Sequence, residues 1–297
     1  MGIAINSLCV ECLLNKHLQT ARSLGDEETA LAFIKAVMQI FLDAEPEDSS
    51  SRIGARINKL YMKFYGLPED RFQAEKDESN RFVMARLDKL RSRVQQSADP
   101  VLTALQYAIL GNYIDFSALG KNVSFDTLDK MLESPEQFAF DGNAYDSFCQ
   151  DLESAKTLLY LTDNAGEIGF DWLLAEALTR RYPDLKITFC VRGFPAHNDA
   201  TRRDYQFMGI PFPVMDNGSD IGATDLKYVN QQTRDTIQNS DLVIAKGMGN
   251  TETLYGCGYH IYYAFLVKCK RLQQVFDKPH MTPMFVKEQK NTKVLSA

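Results

Sequence analysis

The chain has 297 residues, 45% of them apolar and 24% charged, the mix of a globular protein with material for one large or two ordinary domains. Its 33 basic residues against 39 acidic ones leave a net charge of −6, which argues against nucleic-acid binding through a broad basic face. No apolar run approaches the roughly eighteen residues of a membrane helix, and Met1 to Ser7 lack the basic start of a signal peptide, so a cytoplasmic protein acting on a small molecule or another protein is expected.

The first half is patterned for helices. The spacing predicts them over Cys9–Ser23, Asp26–Asp43, Arg52–Tyr65, Asp77–Gln96, Pro100–Leu110, Phe125–Glu133 and Ala144–Glu153. In the second of these, Leu31, Phe33, Ile34, Val37, Ile40 and Phe41 recur at helical intervals. Turn-like breaks fall at Glu45 to Ser51 and at Gly66-Leu67-Pro68, and Asp99 can cap a helix that has Pro100 at its first position. The opening helix carries Cys9-x-x-Cys12, the one pair among six cysteines with metal or redox spacing. Cys257-x-x-His260 could complete a three-Cys, one-His zinc set. The simpler reading buries Cys9 and Cys12 partly, on an amphipathic helix with Leu8, Leu13 and Leu14.

Near residue 155 the texture changes to short apolar runs alternating with helices. Strands are predicted at Thr157–Thr162, Lys186–Val191, Asp241–Ala245 and Tyr262–Val267, with helices over Gly169–Arg181 and Ala200–Met208. Such alternation implies crossover connections and a mainly parallel, Rossmann-like sheet. The expected organisation is a helical region over residues 1–155, an α/β catalytic region over 156–286 and a polar tail over 287–297. Nothing in the pattern specifies an oligomeric state.

Ligands of such sheets sit outside the carboxyl ends of the strands. The first strand runs into Asp163-Asn164-Ala165-Gly166-Glu167, where Asp163 and Asn164 offer oxygen ligands to a hard divalent cation. Ala165 and Gly166 let backbone N–H groups face an anion at the helix start, although plain helix capping accounts for the same residues equally well. The second strand exits toward His197-Asn198-Asp199, so Asp199 is a candidate third ligand, with Asp204 a weaker rival. The third delivers Lys246-Gly247-Met248-Gly249-Asn250-Thr251-Glu252, a lysine leaving a strand as the backbone turns glycine-rich; a phosphate contact or a tight turn both fit. Lys268-Cys269-Lys270-Arg271 adds cations after the fourth, which a solvated basic turn would also explain. Neither a dinucleotide fingerprint nor a phosphate-loop order is present.

Taken together, Thr162 to Asp171, Gly193 to Asp199 and Lys246 to Glu252 resemble the metal-dependent damage-control phosphatases, long catalogued as domain of unknown function 89. Cys9-x-x-Cys12 and Gly111-Asn112-x-x-Asp115 are similar to the branch with an N-terminal cysteine pair and a Lys-Gly-x-Gly-Asn-x-Glu signature. Each motif alone is weak; five in order are specific. The resemblance implies an α/β fold, a three-layer α/β/α Rossmann-like sandwich with a helical N-terminal region. It also implies a divalent-metal-dependent phosphatase that hydrolyses sugar phosphates or damaged phosphorylated metabolites. Carried over by motif, Asp163, Asn164 and Asp199 hold the metal, for which Mg²⁺, Mn²⁺, Co²⁺ and Ni²⁺ are all admissible. Gly166, Glu167, Asn250, Glu252 and Asn112 line the substrate pocket, and Lys246 faces the phosphate. Lys268 matches a family lysine, with Lys270 as its alternative, and Arg192 stands where many relatives have lysine. For the cysteine pair, a structural metal and a redox role both stay open.

A phosphomonoester carries about two negative charges, so its hydrolysis needs charge neutralisation and a held water. Attack by Asp163 or by a metal-activated water would each suit an aspartate at a strand end, the second being preferred. Two rival functions use the same sequence. An S-adenosylmethionine-dependent carboxyl methyltransferase lacks the expected glycine-rich adenosine loop, and a non-catalytic phospho-ligand-binding protein would keep every strand-end residue.

Overall fold

The structure is a computed structural model that describes residues 2–115 and 124–288. Eight helices precede the sheet among these residues: α1 (Ser7–Leu24), α2 (Glu27–Leu42), α3 (Ser50–Tyr65), α4 (Gln73–Met84), α5 (Leu87–Gln96), α6 (Pro100–Gly111), α7 (Phe125–Glu133) and α8 (Gly142–Leu152). Their starts are written in the sequence. Asn6, Asp26, Ser49, Asp99, Ser124 and Asp141 each accept backbone N–H groups of the first turn. The single helix expected over Asp77–Gln96 is two. Its apolar period runs through Val83, Leu87, Leu90 and Val94, but the helix breaks at Ala85 and Arg86, where the Arg86 guanidinium lies on Asp129 at 2.5 Å and over the Phe82 ring.

The sheet follows. Strands β1 (Thr157–Leu161), β2 (Lys186–Val191), β3 (Val214–Asp216), β4 (Leu242–Lys246) and β5 (Ile261–Leu266) run parallel in the order β3-β2-β1-β4-β5, and β6 (Pro283–Lys287) is antiparallel to β5. Helices α9 (Glu167–Arg181), α10 (Arg202–Met208), α11 (Gln231–Asn239), α12 (Gly247–Leu254) and α13 (Lys270–Phe276) alternate with the strands. Period-two alternation divides the core into layers. Leu158, Tyr160, Phe189 and Ile244 join one apolar cluster with α5, α6, α8 and α9, whereas Leu159, Leu161, Val243 and Phe265 join a second with Ile237 and Leu272. The expected three-layer α/β architecture is therefore present, with strands β3 and β6 added to the four expected. Lys287, placed in the polar tail by the sequence, ends β6, and Glu288 is buried with its carboxylate accepting from Tyr263 Oη at 2.6 Å. The rest of that tail lies outside the described residues.

A third cluster, with Phe33, Val37, Ile57 and Tyr61, holds α1, α2 and α3 together. The chain start ties these helices to the sheet's carboxyl edge, Ile3 N donating to Glu252 O at 2.6 Å and Gly2 N to Tyr255 O at 3.0 Å. Among the described residues no helix is long and apolar enough to cross a membrane.

Candidate active site

Strand order reverses between β1 and β4, which is where a crevice opens in a sheet of this kind. The loops leaving β1 and β2 are stitched across its rim. Ala200 N donates to Asp163 O at 2.7 Å, Ala165 N donates to Asn198 O at 2.9 Å, and Asn164 bridges Asp199. Asp163, Asn164 and Asp199 thus lie side by side. Gly166 makes the bend possible: its φ is +76°, and a Cβ there would meet the Ser79 backbone at 2.9 Å. Its N–H donates to Asn80 Oδ1 at 2.7 Å, and Asn80 in turn bonds Asp204. Asp204, the rival ligand, serves elsewhere. It closes a capping box on Thr201 and lies 3.5 Å from the buried Lys76.

Each carboxylate is held by one oxygen. Asp163 Oδ2 accepts from Asn112 Nδ2 and Asn164 Nδ2, both at 2.8 Å, and Asp199 Oδ2 accepts from Arg192 Nε at 2.6 Å. Neither Oδ1 accepts a hydrogen bond among the described residues; the nearest cation to that of Asp163 is Arg192 at 3.9 Å. Asn164 Oδ1 accepts from Asn198 Nδ2 at 2.8 Å. Burial, and then the charges of Glu167, Asp199 and Asp115, hold the Asp163 carboxyl well above the usual range. Burial raises Asp199 to about 6, with Arg192 opposing it. Gly247, at φ +77°, is needed here because a Cβ would overlap the Asp163 carboxylate. The donors are all oxygens, which suits a hard divalent cation. Among the described residues no three His, Cys, Asp or Glu side chains converge as ligands; this set has two carboxylates and an amide.

Lys246 lies elsewhere than expected. It is fully buried behind the rim, its Nζ donating to Glu167 Oε1 at 2.5 Å and Ala108 O at 2.7 Å and standing 2.9 Å from Asp171 Oδ1. Burial opposes the charge, but Asp171 and Glu167 overcome it and raise the pKa. Lys268, by contrast, lines the cavity, held by Asn112 O at 2.7 Å and Asp115 Oδ2 at 2.6 Å.

The cavity measures about 550 Å³, with Asp163, Asn164 and Asp199 in its wall. Of the residues expected to line it, Glu252 and Lys268 do so. Gly166, Glu167, Asn250 and Asn112 stand behind that wall as supports: Asn250 Nδ2 holds Thr162 O and Lys246 O, and Glu167 Oε2 accepts from Asn164 Nδ2 at 2.7 Å. Glu252 accepts from Ser50 Oγ at 2.9 Å; burial raises its carboxyl to about 7 despite that bond. The opposite side comes from α1 and α3, where the cysteine pair was the one chemical signal in the sequence. Lys16, His17, Ser51 and Gly54 line it, with His197 from the β2 loop. Only the polar positions on the inner faces of α1 and α3 could have pointed to them. Burial keeps both imidazoles neutral, His17 at about 2 and His197 at about 3. Cys9 and Cys12 also line the cavity, and all six cysteines are free thiols. The second zinc half-site does not join them. His260 precedes β5 at the opposite edge of the sheet, bonded to Asp241 O and Asp151, both at 2.9 Å.

Comparison with known proteins places this arrangement in a lineage. The model of the damage-control phosphatase ARMT1-like domain matches residues 5–281. A protein of Archaeoglobus fulgidus named damage-control phosphatase is 30% identical over 275 residues, spanning 90% of this chain and 93% of that one. An uncharacterized protein of Methanocaldococcus jannaschii is 29% identical over 282 residues, with 91% and 90% covered. Damage-control phosphatase PH1575 of Pyrococcus horikoshii is 29% identical over 180 residues, or 59% of this chain and 61% of that one. The crystal structure of that DUF89 protein superimposes with a TM-score of 0.81 at 23% identity, covering 97% of this chain and all of its own, so the fold is shared. The chain belongs to the damage-control phosphatase ARMT1-like domain family.

Proposed function

We propose that the chain is a divalent-metal-dependent phosphatase of small phosphorylated metabolites, with Asp163, Asn164 and Asp199 holding the metal. One observation carries this reading: Asp163 is a buried carboxylate without a close cation. Lys246 balances Glu167 and Asp171, Lys268 balances Asp115, and Arg192 balances Asp199, but Asp163 has Arg192 only at 3.9 Å. A buried charge left so is costly unless something neutralises it.

Asp163, Asn164 and Asp199 would hold a divalent cation, which when bound would supply charge neutralisation to a phosphoryl group and acidify a water. The protein's own groups do the rest. Asn112 and Asn164 fix the Asp163 carboxylate by one oxygen, and Arg192 fixes Asp199 likewise, so both free oxygens keep one orientation. An ammonium has three donors; Lys268 commits two, to Asn112 O and Asp115, and offers the third to a phosphoryl oxygen. Glu252, its carboxyl raised by burial to about 7, lines the same cavity and would meet substrate hydroxyls.

The test is hydrolysis of p-nitrophenyl phosphate by the full chain. Activity should vanish with a chelator, return with Mn²⁺, Co²⁺, Ni²⁺ or Mg²⁺, and fall by at least about 100-fold in Asp163→Asn. Chelator-insensitive turnover, or full activity in Asp163→Asn, would overturn the assignment.

A further inference from the structure

We infer that Arg271 is a specificity residue of this cavity. It takes a second anionic group, a phosphate or carboxylate, carried by the substrate away from the phosphate that is cleaved. The inference rests on the phosphatase reading and adds a substrate class to it.

Arg271 lies in the first turn of α13, three residues past Lys268, in the wall where α13 packs on α1. Its side chain lines the cavity beside Cys9 and Glu252, and its charge acts on both of them. Of the other arginines near the site, Arg192 pairs with Asp199 and Arg52 with Asp225, while Arg71 stacks over the Tyr61 and Phe72 rings with its own Nε also unpartnered. Arg271 forms no ion pair and no hydrogen bond among the described residues, and its Nε is buried with no partner.

A buried donor on a permanent cation is expensive to leave unmet. Glu252, an acid of the same cavity on which the Arg271 charge acts, makes its bond to Ser50 instead. The guanidinium fork matches the two oxygens of a carboxylate or phosphate. Lys270 beside it lines the same cavity, so two cations stand at this end with Glu252 bonded to Ser50, while Asp163 and Asp199 are the carboxylates of the other. That polarity sorts a two-anion substrate. The phosphate to be cleaved goes to the acidic end, where a cation reverses the sign, and the second anion goes to Arg271.

Three compounds test this on the full-length protein: a hexose monophosphate, the corresponding bisphosphate and a phosphorylated sugar acid. Wild-type kcat/KM should favour one or both doubly anionic compounds by about 10- to 100-fold, the range of a charge-assisted hydrogen bond. Whichever is favoured identifies phosphate or carboxylate as the second group. Arg271→Ala should bring that ratio close to one mainly through KM, and Arg271→Lys should restore part of it. Calorimetric binding of the same compounds to Asp163→Asn protein should carry the same ratio, and lose it when Arg271→Ala is added. An equal ratio with and without Arg271, in turnover and in binding, would overturn the inference alone. A ratio that depends on Arg271 in binding, with no hydrolysis of any phosphomonoester by wild type, would uphold it as a ligand contact and overturn the phosphatase reading.

Discussion

Replacing Lys246 with methionine separates a supporting lysine from one that touches substrate. Methionine keeps most of the side chain's volume and removes only the charge and its donors. The lysine has no exposed surface; its Nζ holds Glu167 at 2.5 Å, Ala108 O at 2.7 Å and Asp171 at 2.9 Å. Its loss strands two buried carboxylates, and breaking a buried pair by removing one partner costs about 3–5 kcal/mol. At roughly 2–4 °C per kcal/mol for a domain of this size, Tm should fall by about 6–20 °C. Asp171→Asn in the same background removes one stranded charge and should restore about 1–3 kcal/mol. Urea unfolding followed by circular dichroism, at pH 7.5 in chelator, reads both values free of any bound ion. A lysine that only met phosphate would leave stability within about 0.5 kcal/mol. An unchanged unfolding midpoint in Lys246→Met would therefore refute the structural account.

Three further outcomes follow from the same geometry. The Glu252 carboxyl has a folded pKa of about 7 against 4.5 for an ordinary glutamate, so between those values the folded state binds the extra proton and stability falls as pH rises. Glu252→Gln should flatten that slope and gain up to about 3 kcal/mol at pH 8 relative to pH 5 in urea titrations; an unaltered slope would count against the assignment. Gly166→Ala combines a left-handed φ with a clash against the Ser79 backbone. It should cost at least about 2 kcal/mol and impair turnover, and a wild-type Tm would contradict this. If a metal-activated water attacks, as preferred above, rapid acid quench of a single turnover should trap no phosphoryl-protein; a labelled Asp163 would reverse that choice.

The strands and the acidic rim were legible because both obey short-range rules. Buried parallel strands read as apolar runs; Asp163 sits just past one such run and Asp199 on the loop that leaves another. Strand β3 is three residues long and β6 opens on Pro283, so neither had a pattern to read. Lys246 misled for a physical reason. A lysine at a strand's end looks solvent-bound, and only the packing of α6 and α9 on the sheet shows that two carboxylates from α9 close over it. Arg192 was hidden likewise, since its partner Asp199 comes from the far end of its own loop. Asn80 fixes Gly166 from 86 positions away, a distance over which no local pattern can speak.

The change of texture near residue 155 does not divide the molecule into independent cores. One apolar cluster runs from Val83 through Phe170 to Phe285, and Asn112 at the end of α6 donates to Asp163 while accepting from Leu266 N of β5 at 3.1 Å. The texture marks a division of labour. Strand ends and their loops supply the charged groups of the rim, tied to one another by backbone hydrogen bonds. The opposite wall is built by Lys16 and His17 of α1 and Ser51 and Gly54 of α3, helices fixed to the sheet by the chain start and the Arg52–Asp225 pair. A change there reshapes the cavity without displacing Asp163 or Asp199. Substitutions in α1 and α3 should therefore move KM between substrates, whereas substitutions at the rim should lower kcat for all of them.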